Sequence, residues 1–228
     1  MNMKTFIQKL HRYISCYFTN PNQTYWQRIR TIVGPADKDD FNTIKQKNTR
    51  DAFETFILNN SNKDTYLLDA GCNTGVEGYR LFKKGYKGHY TGIDSNEKAI
   101  VFAQKNLSEF PRTCLIVSDL AKMNFPVENV YTKHRSFDIV LMKDVIEHHK
   151  HYKPILTELI KFAKKYFILS LFIHTSLSNK NNLTLHPDGY YLNTYSQKRL
   201  KQFFVKKVFK KHMRIFTNNQ DEVWVFKR

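Results

Sequence analysis

The sequence predicts an α/β fold: a doubly wound, mostly parallel sheet closed by a C-terminal antiparallel hairpin. Three observations carry this. Strand-like and helix-like stretches alternate from residue 66 onward. The strand-like runs are continuously apolar rather than alternating, as strands covered on both faces are. Two β-rich runs at the end of the chain are joined by Thr217-Asn218-Asn219-Gln220-Asp221, a loop too short for a helical crossover.

In order, strands are expected at 66–70, 89–93, 114–118, 137–142 and 166–173. Helices are expected at 76–84, 96–108, 152–165 and 195–205, and the hairpin at 205–216 and 223–226. A further helix is read over 44–58, with Phe53, Phe56 and Ile57 apolar. Residues 3–18 place Phe6, Leu10, Tyr13, Ile14 and Tyr17 on one helical face, either docked on the main domain or lying in a membrane interface. Tyr25, Trp26 and Arg28 follow, then a loop at Gly34-Pro35. This divides the chain into an N-terminal helical cap or substrate segment, 1–60, and a main domain, 61–228.

Composition bounds the partners. The chain of 228 residues carries 37 Lys+Arg against 20 Asp+Glu, a net charge of +17. That balance favours polyanions such as nucleic acid or anionic lipid headgroups, or else reflects solvated lysine. Lys198, Arg199, Lys201, Lys206, Lys207, Lys210, Lys211 and Arg214 concentrate it, with no acid between them and with Phe203, Phe204 and Phe209 interleaved. This run reads as a nucleic-acid or lipid-headgroup patch, or as lysines that keep an edge strand from pairing. Cys16, Cys72 and Cys114 are odd in number and lack zinc-site spacing, so a reducing cytoplasmic setting is expected. No apolar run approaches the roughly 20 residues that span a bilayer.

The most informative stretch is Leu67-Leu68-Asp69-Ala70-Gly71-Cys72-Asn73-Thr74-Gly75: an apolar strand, an acid, and a glycine-flanked turn leading into a helix. A second strand ends in Asp94, which suits a ribose diol. A dinucleotide-binding turn would carry G-x-G-x-x-G, but Asn73 stands where the middle glycine belongs. Asn tolerates left-handed backbone, so the turn survives. Asp69 would repel a pyrophosphate and attract a cation. The pocket is therefore one for a nucleoside with a cationic or zwitterionic tail.

These residues resemble the first motif of the class I S-adenosylmethionine-dependent methyltransferases. Gly92-Ile93-Asp94-Ser95 resembles the second motif, Val117-Ser118-Asp119-Leu120 the third, and the run Phe137-Asp138-Ile139 through Val145-Ile146-Glu147-His148 the fourth. The resemblance covers about 60–175 and implies a Rossmann-like, seven-stranded sheet. It also implies S-adenosylmethionine as cofactor. Asp69 and the turn of Gly71, Cys72, Asn73 and Gly75 would hold its methionine moiety. Asp94, followed by Ser95, would accept the ribose hydroxyls, with helix capping as the competing role. Asp119 would take the adenine amino group and Leu120 would supply a backbone N–H.

The catalytic candidates lie after the fourth strand, where ligands of parallel sheets sit. Asp144 or His148 is read as a general base for a hydroxyl acceptor, with Glu147 beside them. Alternatively, Asp144, Glu147 and His148, with His186, form a metal site, since D-x-x-E-H resembles the E-x-x-E-H of metal-assisted methyltransferases. In a third reading Glu147 and His148 only shape the start of the next helix. His149 and His151 are expected to be exposed. The insertion from 174 to 195, with His186-Pro187-Asp188-Gly189-Tyr190-Tyr191, is read as framing the acceptor or as a surface loop with buried tyrosines.

The expected activity is O-methylation of a small molecule, glycan or lipid-linked sugar by a cytoplasmic, or peripherally membrane-bound, enzyme. The alternatives are an RNA methyltransferase, including a metal-assisted 2′-hydroxyl type, and a non-catalytic cofactor-binding subunit.

Overall fold

The computed structural model describes residues 44–120, 137–187, 189–207 and 209–228. The expected helix at 3–18, the aromatic segment with Tyr25 and Trp26, Cys16 and Asp188 lie outside the described residues. Helix α1 (Ile44–Asn59) leads into β1 (Tyr66–Ala70), α2 (Val76–Lys83), β2 (His89–Asp94), α3 (Glu97–Asn106) and β3 (Thr113–Val117). Then come β4 (Phe137–Lys143), a 3-10 turn (Ile146–His148), α4 (Tyr152–Phe162), β5 (Ala163–Leu171), α5 (Gln197–Lys207), β6 (Lys211–Thr217) and β7 (Glu222–Lys227).

The seven strands form one sheet in the order β3-β2-β1-β4-β5-β7-β6. The five strands from β3 to β5 are parallel, while β7 pairs antiparallel to both β5 and β6. The chain winds outward from β1 through β2 to β3, then returns to place β4 on the other side of β1. This is the Rossmann-like arrangement that the sequence predicts, and it opens a crevice beyond the C-terminal ends of β1 and β4.

The apolar runs are continuous because both faces of the sheet are covered. Leu67, Leu141 and Ile168 pack with Phe53 and Ile57 of α1 and Leu81 of α2 on one face. Leu68, Val140 and Leu169 pack with Leu156 of α4 and Phe204 of α5 on the other. Burying one such aliphatic side chain stabilises the fold by about 1.5–3 kcal/mol.

Several boundaries differ from expectation. Residues 205–207 continue α5, and the hairpin's first strand starts only at Lys211. The cause is an aromatic cluster: Phe204 stacks on Phe226 at 3.8 Å and meets Phe209 at 5.7 Å, which holds the helix end against the sheet. Helix α5 starts at Gln197 because Ser196, whose Oγ accepts from the Arg199 N–H at 3.4 Å, stands just before it. Strand β5 begins at Ala163, because Phe137 pairs with that residue.

Candidate functional site

Three residues of the turn after β1 have left-handed backbone: Gly71 (φ 88°), Asn73 (φ 49°) and Gly75 (φ 74°). Asn73 thus adopts the conformation that its side chain tolerates. The N–H groups of Gly71 and Cys72 both donate to the Ile93 carbonyl, at 2.8 and 2.9 Å, which ties the turn to the end of β2. From the other side, Asn106 Nδ2 donates to the Thr74 carbonyl at 2.8 Å. Cys72 is buried over Gly92, where an added Cβ would meet its Sγ at 2.8 Å. Burial, then the charges of Asp69 and Asp94, push its thiol well up, so it stays neutral.

Asp94 sits half-buried at the end of β2. One carboxylate oxygen accepts from the Asn73 N–H and the other from the Asn96 N–H, both at 2.9 Å. Asn96, not Asp94, caps α3, accepting from the Ala99 N–H at 3.3 Å. Asp94 is therefore oriented by backbone amides at both of its oxygens. The Ser118 N–H donates to the Asp94 carbonyl at 2.9 Å, bringing the ends of β2 and β3 together with half-buried Ser95 and Asp119. Leu120 is buried in the core.

Asp69, at the end of β1, is buried and accepts from the Tyr90 hydroxyl at 2.6 Å. Burial raises its carboxyl to about 7, opposed by the Tyr90 hydrogen bond and reinforced by the Glu77 charge. Glu77, in the first turn of α2, is gripped by the buried Arg50, whose Nε lies 2.9 and 3.1 Å from its two oxygens. Lys143 Nζ lies 3.8 Å from Glu77 and also contacts the Asp144 carboxylate. Charges of alternating sign thus run from α1 into the crevice: Arg50, Glu77, Lys143, Asp144. Sequence reasoning missed Arg50, Tyr90 and Lys143 as parts of this site. The one available signal was a charged Arg50 on the face of α1 that carries Phe53 and Ile57.

The segment after β4 carries the candidate catalytic groups. Asp144 has left-handed backbone (φ 54°) and donates its N–H to the Ser170 carbonyl at 2.9 Å. Such a conformation in a non-glycine residue is strained and concentrates at functional sites. Glu147 is wholly buried; one oxygen accepts from the Phe172 N–H at 2.9 Å, and Oε2 has no hydrogen-bond partner among the described residues. Burial, and after it the Asp144 charge, push its carboxyl well above the usual range. His148 Nδ1 lies 2.9 Å from the Tyr191 carbonyl. A carbonyl only accepts, so Nδ1 carries the proton and the neutral ring has its lone pair on Nε2. Its ring meets Phe172 at 5.3 Å and Tyr190 at 5.9 Å.

His149 departs from expectation. It is partly buried, and burial lowers its imidazole to about 4, against the opposing charge of Asp119. His151 is exposed, as expected. The insertion after β5 is an irregular hairpin, bridged at Asn182–Thr194 and Leu185–Tyr191, with His186 stacked on Tyr190 at 4.4 Å. Among the described residues no group of three or more His, Cys, Asp or Glu side chains is placed to hold a metal.

The glycine-lined crevice, the acid at each of three strand ends and the order of the strands define a class I methyltransferase fold. The methyltransferase-domain family matches residues 61–220, and the chain belongs to that family. No curated protein matches the sequence. Among solved structures it is similar to magnesium protoporphyrin IX methyltransferase from Synechocystis PCC 6803 with bound SAM (18% identity, TM-score 0.60, covering 95% of this chain and 96% of that one). It is also similar to the CurJ carbon methyltransferase (13%, TM-score 0.63, covering 84% and 57%). A third similar structure is the Burkholderia thailandensis 1,6-didemethyltoxoflavin-N1-methyltransferase with S-adenosylhomocysteine (13%, TM-score 0.59, covering 96% and 89%). The chain is a SAM-dependent methyltransferase by family and fold. Among the described residues no helix is long and apolar enough to cross a membrane.

Proposed function

We propose that this chain methylates an oxygen of a small-molecule, glycan or lipid-linked sugar acceptor, with His148 as the general base. The observation that carries this is the His148 Nδ1 contact with the Tyr191 carbonyl, which fixes the Nδ1–H tautomer of the neutral ring in the turn after β4, the tautomer a base acting through Nε2 needs. S-adenosylmethionine, when bound, supplies a methyl group on a positively charged sulfur, the electrophile of an in-line displacement.

The residues fit that cofactor. Asp69 and the turn from Gly71 through Cys72 and Asn73 to Gly75 form an acidic cradle for the methionine end. The pre-oriented Asp94, with Ser95 beside it, takes the ribose hydroxyls. Asp119 and the Leu120 N–H serve the adenine. His148 Nε2 would accept the proton of the acceptor hydroxyl, leaving the oxygen free to take the methyl group that the cofactor would supply. Asp144, held by Lys143, provides a negative charge near the departing cationic character, and Glu147 supports the turn from beneath.

A second reading is favoured by one observation: Lys198, Arg199, Lys206, Lys210, Lys211 and Arg214 are all exposed. That surface suits an acidic acceptor, either RNA or a lipid-linked phosphate.

The experiment is calorimetric binding of S-adenosylmethionine, followed by methyl transfer from labelled cofactor to a panel of hydroxyl acceptors and RNA. With a competent acceptor, His148→Gln should lower kcat by roughly 100- to 10,000-fold with cofactor affinity kept. Full activity in that variant would remove His148 as the base. A steep loss of acceptor binding with salt would select the polyanion reading.

A further inference from the structure

The geometry points to Asn193 and Tyr195 as positioning residues that hold His148 and the aromatic wall of the acceptor side, an inference that rests on the reading of His148 as base. The descending leg of the insertion, 191–195, runs as a splint along the turn 146–149. At its upper end the Tyr191 carbonyl takes the His148 Nδ1–H at 2.9 Å. In its middle the Asn193 N–H donates to the Glu147 carbonyl at 2.9 Å. The Asn193 side chain is wholly buried and spends its groups on both sides. Nδ2 donates to the His149 carbonyl at 2.9 Å and to the Tyr195 hydroxyl at 3.0 Å, and Oδ1 accepts from the Thr184 N–H at 3.1 Å. At the lower end the Tyr195 hydroxyl, also buried, lies 2.7 Å from the Ile146 carbonyl and 2.6 Å from the His149 carbonyl.

The carbonyls of residues 146, 147 and 149, on both sides of His148, are thus all held from the same leg. The backbone is thus fixed on both flanks of His148 while the Tyr191 carbonyl of that same leg holds its Nδ1–H, so the place and tautomer of the imidazole depend on how the leg is seated. The leg fixes Tyr190 as well, whose ring meets those of His148 and His186. Buried polar networks in which every member is satisfied are the ones that specify a single geometry. Neither side chain touches the glycine turn or Asp94 in any hydrogen bond described above, so both should act on the acceptor side and leave cofactor binding intact.

The test uses the full chain with Tyr195→Phe, which removes one hydroxyl and keeps the ring packed on Tyr152 (centroids 4.7 Å apart). Asn193→Ala is the second variant. The readout is the ¹⁵N NMR spectrum of the His148 ring, which reports tautomer and titration without any acceptor, beside calorimetric S-adenosylmethionine binding. The expected result is loss of the single Nδ1–H tautomer in both variants, with cofactor affinity within about twofold of the wild type. With an acceptor in hand, kcat/KM should fall at least tenfold. Unchanged His148 ring signals in the two variants would overturn the inference, as would a loss of cofactor affinity that matches the loss of tautomer. Failure of the wild type to bind S-adenosylmethionine is a separate outcome that strikes the methyltransferase reading, because the NMR comparison needs no cofactor.

Discussion

The Tyr90 hydroxyl donates to the Asp69 carboxylate at 2.6 Å, and both side chains are buried at the end of the first two strands. Burial raises the Asp69 carboxyl from 3.8 to about 7, and the Tyr90 bond only partly opposes it. Between those two values the folded chain keeps a proton that the unfolded chain has released. Stability therefore falls as pH rises from about 4 to about 7 and is flat, for this group, above that. The contribution is on the order of a few kcal/mol. Urea unfolding across this range should show a slope that Asp69→Asn reduces and that Tyr90→Phe extends to higher pH. An identical slope in Asp69→Asn would mean that Asp69 does not titrate there.

Asp94 is oriented before any ligand arrives, because each of its oxygens already holds a backbone N–H. Charge-assisted hydrogen bonds contribute about 1.5–3 kcal/mol each. Asp94→Ala should weaken S-adenosylmethionine by roughly 10- to 100-fold or more in calorimetry. Asp94→Asn, which keeps one acceptor oxygen, should fall between. Wild-type affinity in Asp94→Ala would reassign the ribose site.

How far the chain reveals itself follows from which interactions are local. The parallel strands were legible because a strand buried on both faces must be continuously apolar, as 139–142 is. The turn was legible because positive φ needs Gly or a tolerant residue, and Asn73 meets that need at φ 49°. Asp69 and Asp94 were legible as acids at strand ends, and Asp119 only through the family resemblance. The rest depends on contacts between distant residues. Arg50 finds Glu77 only once α1 packs across the sheet. Asn193 finds Glu147 only once the insertion folds back. His149 reads as exposed because it follows a polar turn, yet Tyr195 and Asn193 from that same insertion close over its carbonyl. The start of the hairpin was misread because β-branched Val205 lies on the exposed side of a helix anchored by Phe204.

Gly71 and Val145 join the turns after β1 and β4. A Cβ at Gly71 would stand 2.4 Å from Val145 Cγ2, on backbone of φ 88°. Two penalties should follow in Gly71→Ala: about 1–2 kcal/mol for left-handed backbone and about 1–3 kcal/mol for overpacking. Val145→Ala in the same chain should recover the second and leave the first. Denaturant unfolding of the four chains of this cycle would reveal a coupling of opposite sign to the single losses. Strict additivity would show that the two turns give way independently.

Arg50 and Glu77 form an ion pair with side chains only 2% and 9% exposed, and Lys143 approaches the same carboxylate at 3.8 Å. Desolvating both charges is costly, so the pair need not stabilise the fold relative to apolar residues, but breaking it strands a buried charge. Arg50→Met should cost about 3–5 kcal/mol, while Arg50→Met with Glu77→Leu should cost clearly less. The double variant has a second consequence. Without Glu77, Lys143 keeps its contact with Asp144, and the alternating series that reaches the crevice is cut. If the series orients Asp144 for catalysis, kcat should fall in the double variant even where stability is regained. Recovery of stability with unchanged kcat would make the pair a fastening of α1 to the sheet and nothing more. A double variant as unstable as Arg50→Met would instead show that the buried Arg50 stem matters more than its charge.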